Sequence, residues 1–125
     1  GVQHDLFDLG GELSVPGGSF LKDSQPGRLE VAIDRFNGEL APLKEFILPG
    51  GTVAAAHLHV ARTVVRRAER STWAAIDMYH GGMNKVAATY LNRLSDLLFV
   101  LGRVVNRRAG VPDMHWQKPT SSRGE

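Results

Sequence analysis

TVAAAHLHVARTVVRRAERSTWAAIDM, residues 52–78, and NKVAATYLNRLSDLLFVLGRVVNRRAG, residues 84–110, are separated by five residues that include Gly81 and Gly82. Reading this pair decides the fold. In the first segment Val53, Ala56, Val60, Val64, Ala68 and Ala75 keep a helical period, and Thr52 stands at the N-cap position. In the second, Val86, Tyr90, Leu91, Leu94, Leu97, Leu98 and Leu101 form the face expected to be buried, and Gly110 with Pro112 stops the helix. Two long helices joined at His80-Gly81-Gly82 must lie antiparallel. The expected class is therefore all-α, an up-and-down helical bundle.

Working outward, Leu29, Ala32, Ile33, Phe36 and Leu40 carry the same pattern, opened by Ser24-Gln25-Pro26-Gly27 and stopped at Asn37-Gly38. Leu6, Leu9 and Leu13, with Phe7, suggest an earlier helix that breaks at Pro16-Gly17-Gly18. Ala41–Gly51 reads as a loop, and Phe46-Ile47-Leu48 is too short to count as a strand. The bundle is assigned to residues 1–110 and residues 111–125 to a C-terminal tail, loose from Pro119 onward.

The chain has 125 residues, 42% hydrophobic and 22% charged, which is the composition of an ordinary globular domain. Cysteine is absent, which excludes disulfide scaffolds and thiolate chemistry. The longest run without Asp, Glu, Lys or Arg is Phe46–Ala61, too short and too broken by Pro49, Gly50 and Gly51 to span a bilayer. Gly1–Asp5 does not resemble a signal peptide, so a cytoplasmic protein with no membrane partner is expected.

The net charge of +2 hides a split: residues 1–50 carry four basic and eight acidic side chains, residues 51–110 nine basic and three acidic. Eleven of the fifteen cations are arginine, the residue suited to bidentate contact with carboxylate or phosphate. Arg62, Arg66 and Arg70 form one stripe at i, i+4, i+8, at a cost of about 0.2–0.5 kcal/mol per like-charged pair. Glu69 is the only acid on this helix before Asp77. By itself the stripe reads as a solvated face, or as one paired with acids such as Glu30 or Asp34. A bound polyanion is the alternative, each charged hydrogen bond contributing about 1.5–3 kcal/mol.

Asn92, Asp96 and Phe99 share a face of the last helix. In isolation Asn92 reads as an interhelical hydrogen-bonder and Asp96 with Arg93 as a local pair. Pro49-Gly50-Gly51-Thr52 lacks the Gly-Lys-Ser/Thr of a phosphate-binding loop and reads as a turn and helix cap. His57 and His59 point to different sides of a helix and read as two ordinary histidines, so no metal ligand is assignable.

Taken together, four motifs resemble the trimeric ATP:cob(I)alamin adenosyltransferases of the PduO type: Gln3–Gly10, Phe46–Gly51, Leu58–Arg70 and Tyr90–Asp96. They fall in the family's order and cover about residues 1–108. The resemblance implies a five-helix bundle, a homotrimer with active sites between subunits, and transfer of the 5′-deoxyadenosyl group of ATP to reduced cobalamin, releasing triphosphate. ATP, Mg²⁺ and cobalamin are the implied ligands, and an adenosylcobalamin-dependent acceptor enzyme an implied partner. Carried over by position, Arg66, Arg67, Glu69, Arg70 and Asn92 belong to ATP. Arg62 matches a catalytic arginine paired with an Asp of an adjacent subunit. Phe46 and Phe99 match aromatics lining the corrinoid side, which keep the lower axial ligand off cobalt.

The family's Thr/Gly/Asp-rich phosphate-binding segment and first helix do not occur after Gly1. They are expected to precede it, and a protein lacking them should adenosylate poorly. Two readings compete: a basic helical nucleic-acid-binding module, which lacks helix-turn-helix spacing and interleaved aromatics, and an inactive bundle acting in assembly.

Overall fold

The helix that organises the molecule is the last. In the computed structural model, which describes residues 1–15, 17–79 and 82–119, four helices occur: α1 (Val2–Ser14), α2 (Ser24–Asn37), α3 (Val53–Met78) and α4 (Val86–Arg108). Helices α1, α2 and α3 all pack against α4. Its buried positions therefore extend beyond one stripe, from Ala87, Tyr90, Leu91, Leu94 and Leu97 to Ser95, Val100, Gly102, Arg103, Val104 and Asn106. Among the described residues there is no strand, and no helix is long and apolar enough to cross a membrane. The expected breaks at Pro16 and at His80-Gly81, and the tail from Thr120, fall outside the described residues.

α3 and α4 run antiparallel, as their cross-links demonstrate. Thr52, capping α3, meets Asn106 near the end of α4, His59 meets Phe99, and Glu69 meets Asn92. The cap forms as its sequence predicts: Thr52 Oγ1 accepts from Ala55 N at 3.1 Å. Gly51, at φ +103°, has no alternative, because a Cβ there would lie 2.4 Å from the Asn106 amide. Gly102 likewise lets the His59 ring approach α4.

The first half of the apolar stripe of α3 does not face the core, although Ala68, farther along, packs against it. Val53, Val60 and Val64 are 76%, 61% and 48% exposed. The buried positions are instead Ala55, His59, Glu69, Thr72 and Ile76. A second difference concerns α1, where Leu6, Leu13 and Phe7 are exposed and Leu9 is buried beside an acid, Asp5. The Asp5 carboxylate accepts from the fully buried Tyr90 hydroxyl at 2.9 Å and from Arg28 at 2.7 and 2.9 Å. Burial, then the Asp5 hydrogen bond, push the Tyr90 phenol well above its usual range, so it remains a donor. This cluster links α1, α2 and α4 around the core of Leu9, Leu21, Leu29, Leu91, Leu94 and Leu97. Each such leucine contributes about 1.5–3 kcal/mol by leaving water.

The segment after Gly110 returns to the bundle. Ile47 and His115 form an antiparallel bridge, with Leu48 N donating to Met114 O and Trp116 N to Phe46 O, each at 2.7 Å. Arg103, buried at the end of α4, binds Asp113 at 2.9 Å and the carbonyl of Ala41 at 3.0 Å. The division at Gly110 thus marks the end of a helix, and the residues just beyond it are fastened rather than trailing.

Tyr90→Phe removes one donor from a buried carboxylate while preserving shape. Urea denaturation should show a loss of about 1–2 kcal/mol.

Candidate functional site

The basic helix α3 presents its arginines in two settings. Near its middle, Arg66 donates to Glu69 at 2.8 Å. Glu69 is buried although charged, because it also accepts from Asn92 Nδ2 at 3.2 Å and Trp73 Nε1 at 3.4 Å. Asn92 is in turn held by Arg93, which also pairs with Asp96 at 2.5 Å. The interhelical role expected for Asn92 and the local Arg93–Asp96 pair are both present. Arg67 and Arg70 are exposed, and among the described residues neither forms an ion pair; pairing of the stripe with Glu30 or Asp34 does not occur. The outcome is a patch where Glu69 fixes Arg66 and Asn92 while two neighbouring guanidinium groups face solvent.

One turn earlier, about 6 Å along the axis, Arg62 lies over the Phe99 ring at 5.1 Å. The two line a cleft of about 390 Å³ together with Phe46, Ile47 and the aliphatic and charged side chains of Leu43, Lys44 and Glu45. Arg62, Phe46 and Phe99, far apart in sequence, are thus brought to one place. Arg66, Glu69 and Asn92 make up a separate cluster adjoining it between α3 and α4, while Arg67 and Arg70 stand exposed on the same stretch of α3 with no hydrogen bond or ion pair to it among the described residues. A larger cleft of about 640 Å³ lies between the ends of α1 and α3, lined by Leu13, Val15, Ala75 and Met83. Its Glu12 is occupied as the acceptor for Phe20 N, Leu21 N and Asn84. Burial opposes its charge, but those hydrogen bonds hold its carboxyl below the usual range. Tyr79 also lines this larger cleft, but no arginine does, so the smaller cleft, where Arg62 meets two aromatic rings, is the better site.

Behind Phe99 sits His59, its ring edge-on at 6.5 Å and an interplanar angle of 76°. Its Nδ1 is buried without a hydrogen-bond partner. Desolvation, then the nearby charge of Arg62, depress its pKa, with Asp113 opposing weakly. His57, two residues away, is exposed. Nothing in their sequence context distinguishes the two, or indicates that Trp116 meets Phe46 edge to face at 6.3 Å. Among the described residues no three His, Asp or Glu side chains converge to cage a metal ion.

Because His59 binds its proton less readily folded than unfolded, stability should fall as pH drops below about 6.5, the reference value for histidine. Thermal melts from pH 8 to 5 check this, and His59→Phe should flatten that part of the slope.

Comparison with known proteins sets this geometry in a family context. A family model described as cobalamin adenosyltransferase matches residues 1–105. A cobalamin adenosyltransferase of Cupriavidus metallidurans is 51% identical over 122 residues, covering 97% of this chain and 65% of its own. A corrinoid adenosyltransferase of Mycobacterium tuberculosis is 53% identical over 112 residues, covering 84% of this chain and 58% of its own. The chain therefore spans somewhat under two thirds of these relatives. Among solved structures, a variant of a PduO-type ATP:corrinoid adenosyltransferase from Lactobacillus reuteri, complexed with cobalamin and ATP, superposes with a TM-score of 0.85. It is 36% identical, and the match covers 94% of this chain and 67% of that one.

Proposed function

Since the chain belongs to the cobalamin adenosyltransferase family, we propose that it transfers the 5′-deoxyadenosyl group of ATP to cob(I)alamin. The observation that carries this reading is the convergence of Arg62, Phe46 and Phe99 on one cleft, next to the Arg66–Glu69–Asn92 cluster and the free Arg67 and Arg70. An apolar wall suits a flat corrinoid, and a row of guanidinium groups suits a polyphosphate.

In this reaction the cobalt of the corrinoid substrate donates its electron pair to C5′ of the ribose. The Co–C bond forms, the C5′–O bond breaks, and triphosphate leaves with that bond's electrons. The protein needs no nucleophile of its own, so the absence of cysteine is no obstacle. Its work is to align the two substrates and to stabilise charge on the leaving group. Arg66, Arg67 and Arg70 take the triphosphate, Asn92 and Glu69 keep Arg66 aimed, and Arg62 sits at the junction of the two substrates. Mg²⁺, carried in with the nucleotide and not by a protein cage, would supply further charge neutralisation at its phosphates. Phe46 and Phe99 exclude water and the lower axial ligand from cobalt.

The same reading includes a cytoplasmic homotrimer of five-helix subunits with sites between subunits, an Asp of a neighbour facing Arg62, and delivery of the product to an adenosylcobalamin-dependent enzyme. Support for the trimer comes from the outward stripe of Val53, Val60 and Val64, apolar surface of the kind that subunits cover.

Mixing the full-length protein with ATP and chemically reduced cobalamin should convert the spectrum to that of adenosylcobalamin. An unchanged spectrum would sink the assignment. Arg66→Ala should raise the KM for ATP about 10- to 100-fold, the value of one charged hydrogen bond. Phe46→Ala should lower kcat and leave the KM for ATP unchanged, and steady-state kinetics separate the two.

A further inference from the structure

Phe46 is 78% exposed on a loop, yet the chemistry proposed for it demands a fixed ring. Its loop owes little to the helix that follows. Leu48 N and Phe46 O are both taken up by the chain at 114–116, each at 2.7 Å, with Ile47 and His115 bridged between them. Trp116 adds the only ring that contacts Phe46 among the described residues, edge to face at 6.3 Å and 68°.

The end of α4 fastens both sides of this pairing. Arg103 reaches Ala41 O at the start of the loop and Asp113 in the returning segment. Asn106 donates to Gly50 O at 2.9 Å and accepts from Thr52 N at 2.9 Å, while its own carbonyl accepts from Val111 N. Two extended segments of a few residues each are held in register by two buried side chains one turn apart.

We infer that Trp116 is a positioning residue: its indole holds the Phe46 ring against the cleft, and residues 111–116 form a strap whose function is to fix that ring. The inference rests on the reading of Phe46 as a corrinoid-side residue and assigns a role in that site to the segment beyond the last helix. An edge-to-face aromatic pair constrains orientation as well as position. A ring displaced by about 1 Å can slow a reaction substantially when alignment is the main catalytic contribution.

The test uses the full-length enzyme with Trp116→Ala, Trp116→Leu, Trp116→Phe, Phe46→Ala and the Trp116→Ala/Phe46→Ala double variant. Amide hydrogen exchange should show Leu48 losing protection about tenfold in Trp116→Ala and Trp116→Leu, and keeping it in Trp116→Phe. With cob(I)alamin and saturating ATP, Trp116→Ala should lower kcat about tenfold, with the KM for ATP unchanged and Trp116→Phe restoring turnover. Because Trp116 acts through Phe46, the double variant should be no slower than Phe46→Ala alone. Unchanged Leu48 protection, or multiplicative losses in the double variant, would overturn the inference. If Leu48 protection falls but Phe46→Ala turns over normally, the reading of Phe46 fails, and the catalytic role of Trp116 with it.

Discussion

A helix surrounded by three others cannot reserve one face for water, and α4 is in that position. Most of its 23 residues are apolar or small, but Ser95, Arg103 and Asn106 are also buried, and each must find partners inside the protein. Ser95 returns its hydroxyl to the carbonyl of Asn92. Arg103 and Asn106 turn instead to irregular backbone, where loops offer carbonyl and amide groups that a neighbouring helix could not. The need to satisfy these two side chains is what gives the loop before α3 and the segment after α4 their shapes. The cleft that contains Phe46 and Arg62 is bounded by that loop.

Electrostatics divides the candidate site in a similar way. Glu69, buried among Arg66, Asn92 and Trp73, is the one negative charge inside a basic stretch. Its desolvation is offset only while its hydrogen bonds persist, so it acts as a rigid post to which one arginine of the stripe is tied. Among the described residues Arg67 and Arg70 have no such tether and keep their capacity for an anion. Arg62 is set apart by its place over Phe99, where a cation gains from the ring's quadrupole. Three kinds of arginine on a single helix follow from which neighbours α4 supplies.

The helices were readable because period is a property of many residues at once: α2, α3 and α4 begin and end close to where apolar spacing, Thr52 and the glycines place them. Orientation was less readable. Asp5 interrupts the leucines of α1 as one polar residue, and the Tyr90 hydroxyl, eighty-five positions away, together with Arg28 explains why it points inward. The valines of α3 have the look of a core stripe, yet α4 takes the face carrying Ala55, His59 and Glu69. Gly102 leaves room for the His59 ring, and hydrogen bonds from Asn92 and Trp73 satisfy Glu69, so available space and polar partners outweigh hydropathy there. The site residues Phe46, Arg62 and Phe99 came from motif resemblance, and it took tertiary structure to bring them together. Trp116 lay in a stretch with no periodicity, so nothing in the sequence tied it to Phe46.

The pairing of residues 46–48 with 114–116 also orders events in time. It joins parts of the chain nearly seventy residues apart, among the most non-local contacts in an otherwise locally connected bundle. A ribosome that has made Phe46 has still to produce α3, α4 and the turn at Gly110 before the partner segment exists. The nascent helices can associate while Phe46 is still unconstrained, and its loop is fastened only once residues 114–116 have emerged. In this protein the framework can be complete before the site is.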